Sequence, residues 1–149
     1  MTILSAQSIQ WNAPLYPIRP RTVVDGVSRG LSGASYDVCL DQDLFLRPGE
    51  FKLASTLERF QMPNHIAAVV HDKSTWARRG ILVQNTFIDP GFHGFLTLEI
   101  TSHSDVGWAI REGTGIAQIV FHYLDMPTTP YSGKYRNQER GPVAPRSET

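Results

Sequence analysis

With 14 Lys plus Arg against 14 Asp plus Glu, the 149-residue chain has no formal net charge at pH 7, so no global basic field exists to draw in DNA or RNA, and nucleic acid is not an expected partner. No apolar run approaches the length needed to span a membrane, and the N-terminus lacks the charged-then-apolar pattern of a secretory signal. A lone Cys39 excludes an intrachain disulfide and suits a reducing compartment, so one soluble, cytoplasmic domain with a modest core is expected.

In chain order, a short helix is expected near Ala6 to Ile9, then an irregular stretch punctuated by Pro14, Pro17 and Pro20. Strand candidates follow at Tyr36 to Leu40, Leu44 to Leu46, Phe51 to Ser55 and His65 to Val70, with a Pro48-Gly49 turn among them. Lys73, Ser74 and Thr75 then offer a cation and two hydroxyls where a helical turn begins. Ser74 is a good N-cap residue, so backbone N–H groups there would point at an anion, and Arg78 lies one turn further on the same face. Gly80 stops the turn, Ile81 to Val83 reads as a short apolar strand, and Asp89-Pro90-Gly91 supplies a tight turn. Beyond it Phe95, Thr97, Glu99 and Thr101 alternate with Leu96, Leu98 and Ile100, the period-two pattern of a half-buried strand, which sets Glu99 and two threonines on the face away from the aliphatic row. Strands at Gly107 to Ile110 and Ile116 to Tyr123, joined through a Glu112-Gly113 turn, complete the spacing of an all-β sandwich or barrel.

After Pro127 the composition turns to Pro, Gly, Ser, Thr and Arg, which divides the chain into a β domain over 1–126 and a mobile arm over 127–149. On pattern alone, a glutamate on a strand's polar face is a solvated residue as readily as a catalytic one, and Lys73 with Arg78 reads as surface charge as readily as an anion site. One chemistry is excluded by residue type. Zinc-activated water needs several Cys or His ligands, and His65, His71, His93, His103 and His122 lack such spacing.

These segments, taken together, resemble the dCTP deaminases, of the same superfamily as the trimeric dUTPases. The match runs from Met1-Thr2-Ile3-Leu4-Ser5 through Gly33-Ala34-Ser35-Tyr36-Asp37, Leu46-Arg47-Pro48-Gly49-Glu50 and Ala54-Ser55-Thr56-Leu57-Glu58. It continues through Lys73 to Gly80, Ile88-Asp89-Pro90-Gly91-Phe92-His93-Gly94, Leu96-Thr97-Leu98-Glu99 and Gly113-Thr114-Gly115-Ile116-Ala117-Gln118, and ends in the arm with Lys134-Tyr135-Arg136-Asn137-Gln138. Glu99 and that arm separate the chain from the hydrolase branch, whose arm carries Gly-Phe-Gly. A shortened loop with Gln84-Asn85-Thr86-Phe87 departs from the His-x-Thr-Ala of many bacterial deaminases.

The resemblance implies a distorted β-barrel or jelly roll that assembles as a homotrimer with sites where subunits meet. It implies zinc-independent hydrolysis of dCTP to dUTP and ammonia, with Mg2+ carried on the triphosphate and dTTP as an inhibitor. Glu99 would shuttle protons, Ser74 would position the water and Arg78 would hold Glu99 in place. Lys73, Thr75, Lys134 and Gln138 would take the triphosphate, Asp89 the sugar 3′-hydroxyl and Phe92 the deoxyribose. The backbone around Thr97 and Leu98 would meet the base, with Gln118 and Tyr131 also in the nucleotide set. The alternatives are a dUTPase, a bifunctional enzyme that carries dCTP on to dUMP, and a non-catalytic nucleotide-sensing or protein-binding member of the fold.

Overall fold

The computed structural model describes residues 2–148; Met1 of the opening motif and Thr149 lie outside them. Its elements are, in order, α1 (Ala6–Asn12), β1 (Leu15–Tyr16), β2 (Thr22–Val24), β3 (Val27–Ser32), β4 (Ser35–Cys39), β5 (Leu44–Leu46), β6 (Phe51–Gln61), β7 (Ile66–Asp72), α2 (Ser74–Ala77), β8 (Ile81–Val83), β9 (Phe87–Ile88), β10 (His93–Ser102), β11 (Trp108–Ile110) and β12 (Gly115–Tyr123). One sheet runs β2-β3-β4-β12-β7-β9 and another β1-β6-β10-β8, with β11 and β5 paired beside them. The core between them is aliphatic and aromatic: Tyr36, Leu40, Phe60, Ile66, Ile100, Ile119 and Phe121 are fully buried. This is the all-β architecture expected from the turn spacing.

Two differences from the sequence reading have local causes. The proline-punctuated segment expected to be irregular holds β1, β2 and β3. Asp25 and Gly26 both take positive φ (52° and 75°) and close the β2–β3 hairpin, the backbone an Asp-Gly turn favours, while β1 pairs Leu15 with Phe60. Strand β6 runs to Gln61 rather than stopping at Ser55. Its polar second half is held from inside: Thr56 is buried, donates through Oγ1 to the Glu58 carbonyl at 2.8 Å, and accepts from the Leu96 N–H at 3.0 Å. That last bond takes up a donor at the bulge where the β6–β10 register shifts between Phe95 and Thr97.

Glu58 is the other buried polar group of β6. Its Oε2 accepts from the Cys39 N–H at 2.9 Å, and Oε1 has no partner. Burial pushes the carboxyl up to about 7 from the ordinary 4.5, and pushes the adjacent Cys39 thiol up to about 12, with Glu58 adding to the rise. A carboxyl whose folded value is raised holds its proton where the unfolded chain has released it. Stability from this group is therefore greatest below about 4.5, falls as pH rises towards 7, and reaches a full deficit of about 3 kcal/mol above that. Glu58→Gln keeps an acceptor for Cys39 and carries no charge. Urea unfolding should find the variant more stable than wild type at pH 8, by a margin that shrinks at pH 5; a pH-independent difference would assign the proton elsewhere.

Candidate functional site

Glu99 sits where the alternation of β10 sends it. It is half-buried, directly across from Leu53 on β6, and lines a cavity of about 380 Å³. The loop between β8 and β9 is fastened on both sides of it. The Gln84 N–H donates to the Glu99 carbonyl at 3.0 Å, and the Val70 N–H to the Thr86 carbonyl at 2.9 Å. This places the Thr86 hydroxyl 3.4 Å from Glu99 Oε2, a long and weak contact at the cavity wall. Thr97, two residues back on the same face, and Asp89, exposed at the tight turn, line the same space. Leu53, Ile88 and Leu96 give it apolar walls. A carboxylate with few competing polar groups can accept a proton from water and return it to a bound substrate.

The arm closes one side. The Tyr131 N–H donates to the Pro90 carbonyl at 2.8 Å, and its ring lies 6.0 Å from that of Phe92, itself buried against Phe60 at 6.5 Å. Gly91 is required here, because a Cβ on it would lie 2.6 Å from Pro130 Cβ. Further along, the Phe95 N–H donates to the Gln138 carbonyl at 2.9 Å. The Gln138 amide donates back to the Phe95 carbonyl at 2.9 Å and to Thr97 Oγ1 at 2.8 Å. The Val143 N–H reaches the same Thr97 oxygen at 3.0 Å. Gln138, expected on the phosphates, is thus buried as a latch between the arm and β10 where it faces the β6 bulge, and the register shift there leaves backbone groups free to bond it. Tyr135, quoted in the arm motif without a role, and Val143, which carried no sequence signal beyond lying in the arm, also line the cavity.

The cationic turn is elsewhere. The N-cap of α2 is Lys73 rather than Ser74, and it makes no side-chain capping bond. The Lys73 ammonium is buried, 2.6 Å from Asp37 Oδ2 and 2.7 Å from Ser28 Oγ, so its charge is already neutralised and it serves the fold rather than a free phosphate. Trp76 anchors the turn by donating from Nε1 to the Gly115 carbonyl at 2.8 Å. Arg79 lies against the rings of Trp76 and Trp108, 4.8 and 4.9 Å from their centroids. Ser74 and Arg78 face solvent and Thr75 is half-buried; none of them lines the Glu99 cavity, so within one chain Arg78 does not hold Glu99. Gln118 donates to Ser35 Oγ at 2.9 Å, Leu98 is in the core, and Lys134 pairs with Glu148 at 3.0 Å; all three lie outside the cavity lining. Among the described residues, no lysine or arginine lines that cavity. Lys73→Met should cost about 3 to 5 kcal/mol in chemical denaturation, because it strands the buried Asp37 carboxylate, whose Oδ1 already lacks a partner. A loss under 1 kcal/mol would mean the pair is not buried in solution.

Residues 17–124 match the family model described as dCTP deaminase-like. The chain belongs to that family. The deaminase-like chain is 41% identical over 118 residues to the "dCTP deaminase, dUMP-forming" of Kocuria rhizophila, covering 74% of this chain and 62% of that protein. It is 43% identical over 109 residues to the dUMP-forming enzyme of Dictyoglomus thermophilum, covering 68% and 56%. To the "dCTP deaminase" of Campylobacter fetus it is 40% identical over 107 residues, covering 69% and 55%. It thus spans between 55% and 62% of the length of these three relatives. Solved structures agree on the fold. The dUTPase of EIAV aligns at a TM-score of 0.56 with 23% identity, covering 69% of this chain and 87% of that one. The dUTPase of Staphylococcus bacteriophage 80alpha aligns at 0.59 with 16% identity, covering 81% and 89%. Among the described residues of the deaminase-like chain, no helix is long and apolar enough to cross a membrane.

Proposed function

We propose that the chain deaminates dCTP, and the observation that carries the reading is Glu99, half-buried beside Thr86 in an apolar cavity. Water adds to C4 of the cytosine ring and gives its proton to the Glu99 carboxylate. Glu99 passes that proton to the ring nitrogen, then takes the remaining proton of the added hydroxyl and gives it to the amine, so that the C4=O bond forms, the C4–N4 bond breaks, and dUTP and ammonia leave. Apolar walls favour this by keeping bulk water from the carboxylate. Asp89 at the cavity rim is suited to the sugar hydroxyl, and Phe92 forms the wall beneath it.

A triphosphate cannot be neutralised by a cavity without cations. We assign that role to Arg78 of a neighbouring subunit in a homotrimer and to Lys134 of the arm, with the Ser74 and Thr75 hydroxyls as hydrogen-bond donors beside Arg78. Magnesium would arrive on the phosphates. The cavity offers only Asp89 and Glu99 as carboxylates, the buried Asp37 faces a lysine, and no group of three or more His, Cys, Asp or Glu among the described residues could hold a metal ion. Its part would be to neutralise phosphate charge and orient the chain of phosphates.

A second reading, continuation to dUMP and pyrophosphate, is favoured by the names of relatives and by Asp89 in the same cavity, where it could orient a second water towards phosphorus. Ammonia and pyrophosphate followed separately from dCTP and from dUTP test both. Ammonia alone gives the deaminase, both products in step give the bifunctional enzyme, pyrophosphate from dUTP without ammonia from dCTP gives a dUTPase, and neither product leaves a non-catalytic member of the fold.

A further inference from the structure

Phe51 and Phe87 are 57% and 58% exposed, yet both line the cavity that holds Glu99. Neither belongs to the core. Phe51 lies two residues along β6 from Leu53, which is opposite Glu99, and is itself opposite Thr101, so it stands on the Glu99 face of the β6–β10 pair. Phe87 comes from the other side, next in sequence to Thr86, whose hydroxyl reaches Glu99. A single exposed phenylalanine needs no account. Two that converge from separate elements on one cavity with a carboxylate and further polar groups give the composition of a small-molecule subsite, apolar faces with a few placed hydrogen-bonding groups.

We propose that Phe51 and Phe87 supply the ring-stacking surface of this cavity, holding the pyrimidine of a nucleotide by its faces while Thr86, Thr97 and Glu99 meet its edge. The proposal rests on the nucleotide reading of the site and adds the residues that carry base affinity. Stacking is tolerant of base identity, since every base has a π-face. The same rings therefore hold cytosine before the amine leaves and uracil afterwards, and discrimination falls to the polar edge.

The test titrates the full chain, in the presence of magnesium, with dCTP, dUTP and inorganic tripolyphosphate by calorimetry, for wild type, Phe51→Ala, Phe87→Ala and Phe87→Trp. Each alanine variant should bind both nucleotides roughly ten- to a hundredfold more weakly and tripolyphosphate as before, with the loss appearing in KM more than in kcat. The tryptophan variant should keep nucleotide affinity and show fluorescence quenched by dCTP but not by tripolyphosphate. Both side chains are exposed, so the substitutions leave the core intact. Unchanged nucleotide affinity in both alanine variants, an equal loss for tripolyphosphate, or a change in sedimentation showing that the rings hold subunits together would each overturn the proposal. A wild-type chain that binds dCTP but releases no ammonia overturns the deaminase reading and leaves the stacking surface standing. One that binds neither nucleotide overturns both.

Discussion

Glu99→Gln should reduce ammonia release from dCTP by roughly a hundredfold or more while the triphosphate still binds. The amide keeps the size of the side chain and a hydrogen-bonding group towards Thr86, so the loop pinned by Gln84 and Val70 should stay in place. What is lost is the ability to accept a proton from water and return it to the leaving amine. Binding measured by calorimetry alongside turnover separates this from a collapse of the site. Near-normal ammonia release would remove Glu99 from the mechanism. If pyrophosphate release from dUTP survives the same substitution, the two hydrolyses use different groups and Asp89 is the one to change next.

Removal of everything after Thr129 should leave a folded protein that binds dCTP at least tenfold more weakly and turns over poorly. The last strand ends at Tyr123, so no sheet loses a member. The cavity, however, loses Tyr131, Tyr135, Gln138 and Val143, and Phe92 loses the ring packed on it. Water then reaches Glu99 freely, and the contact expected from Lys134 is gone. Circular dichroism and sedimentation should resemble wild type while affinity and kcat fall together. Unchanged affinity and turnover would reduce the arm to a surface decoration. Gln138→Ala is the finer version, since it removes the two side-chain bonds to Phe95 and Thr97 and leaves Tyr131 and the Phe95–Gln138 backbone bond in place.

The parts of this molecule that sequence reveals are those whose side-chain period is undisturbed. Strand β10 alternates without a break from Phe95 to Ser102, so both its existence and the direction of Glu99 follow from pattern. Strand β6 does not, because Thr56 and Glu58 are buried polar residues whose partners, the Leu96 and Cys39 N–H groups, lie on strands distant in sequence. Thr97, Glu99, Asp89, Phe92, Tyr131 and Gln138, which the resemblance put in one nucleotide set, all line one cavity. The task of Gln138 was not, since a glutamine that grips backbone at a bulge looks the same in a sequence as one that grips phosphate. Lys73 misled for a similar reason: its partner Asp37 lies 36 positions earlier and meets it only when β4 and β7 flank β12. Phe51 gave no signal because its face is set by register with Thr101.

Because the arm supplies part of the cavity lining, its position bears on how ligand enters and leaves. If the arm has to swing away before nucleotide enters, the observed association rate will stop rising with nucleotide concentration and level off at the arm's own opening rate, whatever the diffusional encounter allows. Loosening the latch at Gln138 would raise that plateau and the escape rate together, so a variant that binds more weakly at equilibrium would also be the faster one to load. Stopped-flow traces from such a variant would time that opening directly.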